Sequence, residues 1–144
     1  KTELCARFEI LLEDYINTIN IEAKTMVIMA KRQILPACIK FSTQVAESIA
    51  KIKDVGDFDV TAQVELLEDL TKTLASFKRN LNSLEEVTNK ASSMEEDSYK
   101  KACYYRDEVC MAMKKLREDT DHLETLVDAD MWPIPTYSEL LFQI

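Results

Sequence analysis

The acids around the single histidine come closest to forming a metal site. Asp119 and His122 stand three residues apart on a predicted helix, which places both side chains on one face, and Glu118 and Asp121 lie beside them. This is half of the carboxylate and histidine motif of a di-iron bundle, which needs a second such motif and further inward glutamates. That second half is missing from the sequence. The pattern therefore favours a hydrated helix face with a surface histidine over a metal centre.

A nucleophilic cysteine would need a nearby base. Twelve helical residues, about 18 Å of rise, separate Cys110 from His122. The closest thiols are seven residues apart, about 10.5 Å along a helix, too far for a disulfide. No companion residue makes any carboxylate pair a general acid or base. We therefore expect no catalytic and no metal-ligating residue in this chain, and free thiols in a reducing compartment at all four cysteines: Cys5, Cys38, Cys103 and Cys110.

Length and composition indicate the kind of scaffold. The chain has 144 residues, 47% of them hydrophobic, which is enough for the core of one domain. It contains one glycine and three prolines, too few for a β-sandwich, a β-barrel or a glycine-rich phosphate loop. We therefore expect an all-α protein.

Charge and hydropathy exclude two classes of partner. The net charge of −8 opposes binding to nucleic acid. The longest apolar run, residues 26–30, is far shorter than the roughly 20 residues that span a bilayer. The first residues do not have the pattern of a signal peptide. We expect a cytoplasmic protein that binds neither nucleic acid nor membrane.

Helical periodicity divides the chain into three long helices. The first covers 1–53 and is kinked at Pro36, because proline cannot donate to the preceding turn. The second covers 60–91, after a break at 54–59 that holds the only glycine and three aspartates suited to helix capping. The third covers 94–127, starting at a capping box formed by Ser93 and Glu96. In each helix, apolar residues recur at alternating intervals of three and four residues and so form one face. The faces are Leu4, Phe8, Leu11, Tyr15, Ile19, Met26 and Ala30; Val60, Leu67, Leu70, Leu74, Phe77, Leu81, Leu84 and Ala91; and Tyr99, Ala102, Arg106, Val109, Met113, Leu116, Thr120, Leu123 and Val127.

These faces predict an antiparallel bundle of the three helices. Arg106 on the third face either pairs with a buried acid or marks a contact with another surface, and we favour the ion pair. The first residues, Lys1 to Leu4, already belong to the first apolar pattern, so we expect a fragment of a longer protein.

The last segment, 128–144, is predicted to be an extended tail because it contains two X-Pro steps and the only tryptophan. It either folds back over its own bundle or docks on another domain or subunit. The candidate docking residues are Trp132, Pro133, Pro135, Tyr137, Leu140, Leu141 and Phe142.

Several blocks of sequence resemble the C-terminal region of type III glutamine synthetases. They are residues 15–23 (YINTINIEA), 34–37 (ILPA), 105–109 (YRDEV), 123–127 (LETLV) and above all 132–142 (WPIPTYSELLF). The resemblance runs in order over nearly the whole chain. Residues 51–94 add little to it, because any heptad sequence would match there.

The resemblance implies a C-terminal fragment of a bacterial enzyme that joins ammonia to glutamate with ATP and a divalent metal, assembled as two stacked hexameric rings. It places the ATP, glutamate and metal ligands in a catalytic region upstream, so no catalytic residue is carried over and this chain alone should be inactive. The expected partners are the catalytic region of the same polypeptide and neighbouring subunits. The expected role is subunit packing and stability.

Two other functions are compatible with the helical pattern. A free-standing coiled-coil interaction module would leave more apolar faces than three helices can cover mutually. A bundle enzyme or metal carrier would bind a stoichiometric metal or perturb His122.

Overall fold

The computed structural model describes residues 2–95, 97–135 and 141, and every regular element among them is helical, as predicted. The three long helices of the sequence prediction correspond to three helical segments. The first consists of α1 (Thr2–Met29), a π-helical turn (Ala30–Ile34) and α2 (Leu35–Val55). The second is α3 (Thr61–Ser92), and the third consists of α4 (Ser98–Tyr104), a second π-helical turn (Tyr105–Val109) and α5 (Cys110–Leu126).

The chain forms two compact units. Unit 1 comprises Lys1–Ile28 and Lys78–Glu118, and unit 2 comprises Met29–Phe77 and Asp119–Ile144. Each unit contains part of all three helical segments.

Pro36 interrupts the first segment without ending it. The proline is the second residue of α2, and a π-helical turn comes directly before it, in which the Leu35 amide donates to the Ala30 carbonyl. In a continuous α-helix the proline ring would clash with the carbonyl of residue 32 and could not donate to it. The wider turn relieves this clash, so the helical path continues to Val55.

The break between the first two segments spans residues 56–60. Asp59 begins α3 as a capping aspartate would, because its Oδ1 accepts from the Thr61 hydroxyl at 2.6 Å and from the Thr61 amide at 3.0 Å. These hydrogen bonds lower the pKa of Asp59. Gly56 has φ of 174°, an extended conformation that any residue adopts.

The capping box predicted at Ser93 is wrong. Helix α4 begins at Ser98, and the Ser93 hydroxyl donates instead to the Lys90 carbonyl at 3.0 Å, at the end of α3. A serine hydroxyl can donate to a free carbonyl at a helix C-terminus or accept from a free amide at an N-terminus, and here it donates to the preceding helix.

Helix α3 supplies four of the large buried side chains among the described residues. Leu70, Phe77, Leu81 and Leu84 are fully buried, whereas Leu67 and Leu74 are half-buried. Thr88, which interrupts the apolar pattern in the sequence, is buried in line with them.

In the third segment most of the predicted face is buried, but at two positions the buried residue is the one before the predicted residue. Tyr105 and Ala112 are buried, whereas Met113 is half-buried and Arg106 is exposed. The Arg106 guanidinium pairs with its neighbour Asp107 at 2.7 Å from Nε to Oδ1, and this contact lowers the pKa of Asp107. The expected pairing with a buried acid is therefore wrong. Burying the tyrosine ring and hydrating the charge avoids the cost of desolvating a guanidinium.

Candidate functional site

The first part of the C-terminal tail is a turn rather than an extended strand. The Asp128 carboxylate accepts from the Asp130 amide at 2.8 Å, and the Asp128 carbonyl accepts from the amides of Met131 and Trp132, each at 3.0 Å. Aspartate stabilises such turns by bonding to the backbone two residues on. The turn places the Trp132 indole where it is only 9% exposed.

The other tail residues predicted to dock differ in their surroundings. Pro133, Pro135 and Leu141 are exposed, and Ile134 is half-buried. Tyr137, Leu140 and Phe142 lie outside the described residues. Trp132 therefore packs within this chain, and docking of the remaining tail on another domain stays a prediction.

The apolar pattern predicted for the start of the first helix is an exposed surface. We call Leu4, Phe8, Leu11 and Tyr15 the α1 stripe, since all four lie on one face of α1 and all four are exposed. The ring centroids of Phe8 and Tyr99 are 6.5 Å apart, within the range of an aromatic pair. The stripe is an apolar surface that the described residues of unit 1 leave largely exposed.

Polar contacts anchor α1 beside this stripe. The Tyr15 hydroxyl lies 3.8 Å from the Cys110 Sγ of α5, and the pKa of Tyr15 is raised by its partial burial and by that contact. The Ser92 hydroxyl donates to Asn20 Oδ1 at 3.2 Å. These contacts fix which faces of α1 are covered within unit 1.

A second apolar surface lies in unit 2, at the connection between α2 and α3. Val55 and Phe58 are exposed there, and an open groove runs from them along Ile52, Lys51 and Glu47 of α2. Lys51 Nζ and Glu47 Oε2 are paired across 3.1 Å on its rim. Sequence reasoning missed this surface, although hydrophobic residues on both sides of the only glycine were a signal for it.

His122 is a surface residue, as predicted. Its Nε2 lies 3.1 Å from the Asp69 Oδ2 of α3, and both side chains are about half exposed. The structure thus pairs the imidazole with Asp69, which lies outside the sequence motif. A polar side-chain contact this exposed contributes about 1 kcal/mol or less to stability.

The described residues contain no cluster of three or more histidine, cysteine, aspartate or glutamate side chains that could hold a metal ion. The four thiols are free, and they differ in access. Cys5 is exposed, Cys103 and Cys110 are half-buried, and Cys38 is buried. Burial raises the pKa of the Cys38 thiol to about 11. In the part of the chain that the structure covers, no helix is both long and apolar enough to cross a membrane.

Comparison with known proteins gives consistent matches. Residues 1–53 match the family model described as the glutamine synthetase C-terminal domain. The whole chain aligns with a glutamine synthetase of Butyrivibrio fibrisolvens at 33% identity over 145 residues. A glutamine synthetase of Bacteroides fragilis aligns with 99% of the chain at 27% identity. A type-3 glutamine synthetase of Dictyostelium discoideum is 29% identical over 97% of the chain. The chain spans only 20 to 21% of the length of these relatives.

Proposed function

We propose that this chain is a non-catalytic C-terminal helical domain of a larger glutamine synthetase, where it stabilises the subunit and contributes to packing between subunits. The observation that carries this proposal is the extent of the matches. Relatives align with the entire chain, yet the chain accounts for about a fifth of each. A free-standing coiled-coil module is not favoured, because in these relatives the same sequence is part of a longer polypeptide.

ATP and a divalent metal, the cofactors implied for the parent enzyme, do not fit the described residues of this chain. The closest approach to a metal site is the pair of His122 and Asp69, which supplies two ligand groups where a protein metal site uses three or more. The only glycine lies in extended backbone between two helices, so no glycine-rich loop offers amides to a phosphate. We therefore assign ATP and metal binding to the rest of the polypeptide.

The role of the fold is to hold helices together by apolar burial. We propose the antiparallel arrangement for α3 and the helix that follows it, and one contact in unit 1 supports it. Lys90 and Tyr104 lie on either side of the short connection at 93–97, and the Lys90 Nζ is 5.5 Å from the ring centroid of Tyr104. Two helices joined by a short connection meet in this way when they form a hairpin.

The exposed part of the tail completes the proposal. Pro133, Pro135 and Leu141 present apolar surface to solvent in this chain. An exposed apolar tail of this kind is a liability unless another surface covers it. We propose a neighbouring subunit or the catalytic region as that surface, while Trp132 anchors the tail to unit 2.

The proposal is tested first at the level of the polypeptide. An antibody raised against this chain is used to probe a denaturing gel of source-cell lysate, and the matching native band is stained for glutamine synthetase activity. We expect a polypeptide several times larger than the 16.6 kDa of this chain, coincident with activity. A band of the chain's own mass without activity would overturn the proposal.

The structural role is tested by deletion. The enzyme that carries this domain is compared with a version lacking the residues that correspond to 1–144, using sedimentation velocity and thermal unfolding. We expect the shortened enzyme to unfold at a lower temperature and to sediment as a smaller assembly. Unchanged assembly and unfolding temperature would refute a role in packing and stability.

A further inference from the structure

Helix α1 has two apolar faces within unit 1. One contains Ile16 and Ala23, both buried, and the other is the exposed α1 stripe. Successive residues of an α-helix are rotated by about 100°, so Ile16 points about that far from Tyr15, its neighbour in the stripe. The packing that buries Ile16 and Ala23 therefore leaves Leu4, Phe8 and Leu11 largely exposed, while Tyr15 at the end of the stripe contacts Cys110 of α5.

The exposure of the stripe is large for side chains of this type. Leu4 is 74% exposed, Leu11 66% and Phe8 50%, and Tyr99, which pairs with Phe8, is 56% exposed. Isolated exposed leucines are common on proteins, but a contiguous row of leucine and aromatic side chains marks a binding surface.

We infer that the α1 stripe, together with Tyr99, is the surface on which the remainder of the same glutamine synthetase polypeptide docks. This inference rests on the proposed function and adds the place of contact to it. The relatives extend well beyond this chain, which is 21% of the length of the Butyrivibrio protein, so a large body of polypeptide is available to cover the stripe.

The size of the stripe favours a tethered partner over a separate one. Its exposed area is on the order of a few hundred Å². An independent protein complex buries about 800 Å² on each partner. A segment of the same chain needs less area, because its tether keeps it at a local concentration of roughly millimolar or above.

Charge gives the chemistry of the covering surface. Residues 3–15 contain four acids and one base, and that base, Arg7, already pairs with Glu3 at 2.7 Å. A second copy of the same stripe would bring acids against acids, and an anionic lipid surface would be repelled. The complementary surface is apolar at its centre and carries lysine or arginine at its rim.

Cys5 provides a native probe of this contact, since it is exposed in this chain and lies one residue from Leu4. The full polypeptide, isolated as the source cells make it, is treated with a maleimide, and the labelling rate at Cys5 is followed by mass spectrometry. It is compared with the L4E/L11E variant of the stripe. The matched control, I21E/I28E, places the same two charges on exposed positions of α1 outside the stripe.

We expect slow labelling of Cys5 in the wild type and in the control, and labelling at least about tenfold faster in L4E/L11E, because opening the contact removes its protection. Equal rates in all three proteins would overturn the inference. Faster labelling of the wild type on dilution would also overturn it, since it would mean that a second molecule covers the stripe.

The deletion experiment separates this inference from the proposed function. If removing the whole domain lowers the unfolding temperature of the enzyme but L4E/L11E leaves Cys5 protected, the domain stabilises the enzyme through another surface and only this inference fails. If neither change has an effect, the proposed function fails as well.

Discussion

Leu81 and Leu74 occupy the same apolar pattern in α3, but only Leu81 is fully buried. Replacing Leu81 by alanine should lower the free energy of unfolding by roughly 2 to 5 kcal/mol, because it leaves a cavity. The same change at half-buried Leu74 should cost about 1 kcal/mol. Urea unfolding followed by circular dichroism measures both. Equal losses would contradict the burial of Leu81 relative to Leu74.

Thr88 is buried, and its hydroxyl has no hydrogen-bond partner in the described part of the chain. Valine has nearly the same shape and no hydroxyl to desolvate, so T88V should raise the free energy of unfolding by about 1 kcal/mol. Thr71 is a matched control, since its hydroxyl is exposed and donates to the Leu67 carbonyl at 2.8 Å. T71V should therefore change stability by less than about 0.5 kcal/mol. Destabilisation by T88V would show that its hydroxyl is satisfied.

Cys38 makes the stability of the chain depend on pH in the alkaline range. Burial raises the pKa of its thiol from 9.0 to about 11, so the folded protein keeps it neutral over a range in which the unfolded chain loses the proton. This stabilisation is complete below pH 9 and is lost as the pH rises towards 11. Between about pH 8 and about pH 10.5 the wild type should lose roughly 2 kcal/mol more than C38A. Parallel losses in the two proteins, measured by urea unfolding under reducing conditions, would contradict this.

Sequence spacing predicted most of the buried residues, and its errors have a common cause. A heptad pattern tolerates a shift of one residue, so it could not decide between Tyr105 and Arg106 or between Ala112 and Met113. The desolvation cost of the guanidinium decided the first case in the folded chain.

At the scale of the elements, periodicity predicted three long helices, because spacings of three and four persist over each of them. It could not predict the two π-helical turns, which leave the apolar pattern almost unchanged. The start of the third helix was also misplaced, since Ser93 can satisfy either helix that it adjoins.

Substitution of Gly56 tests whether the connection between α2 and α3 requires a glycine. A Cβ at Gly56 would lie 3.0 Å from the Phe58 Cε2, and the backbone there is extended. The Phe58 ring is exposed and can move, so G56A should change the free energy of unfolding by less than about 0.5 kcal/mol. In an F58A background the same change should stabilise by about 0.4 to 1 kcal/mol, because alanine restricts the unfolded chain. Thermal unfolding measures both effects. If G56A changes the free energy of unfolding equally in the wild-type and F58A backgrounds, the Phe58 ring does not hinder the added Cβ.

For the molecule as a whole, the burial of Trp132 changes what is expected of the tail. W132A should lower the free energy of unfolding of the chain by about 3 to 5 kcal/mol, because the indole is part of the core of unit 2. Exposed Leu141 is the control, and L141A should cost less than about 0.5 kcal/mol. If W132A instead leaves unfolding of this chain unchanged and weakens assembly of the proposed parent glutamine synthetase, the indole serves another subunit.

The candidate site was only partly predictable. The residues of the α1 stripe follow from their spacing, but spacing cannot show whether a face meets a helix of the same chain or another body. In this chain Ile16 and Ala23 face the interior, and the larger side chains of the stripe remain at the surface. Only packing reveals that difference.

The single tryptophan also determines which part of this protein its intrinsic fluorescence reports on. Trp132 is buried in unit 2, and the sequence holds no other indole. Intrinsic fluorescence will therefore follow the loss of structure around that one residue, whereas far-ultraviolet dichroism sums helix from both units. Coincident curves from the two signals would mean that the chain melts as a single cooperative body. Separate curves would give the order in which its two halves come apart.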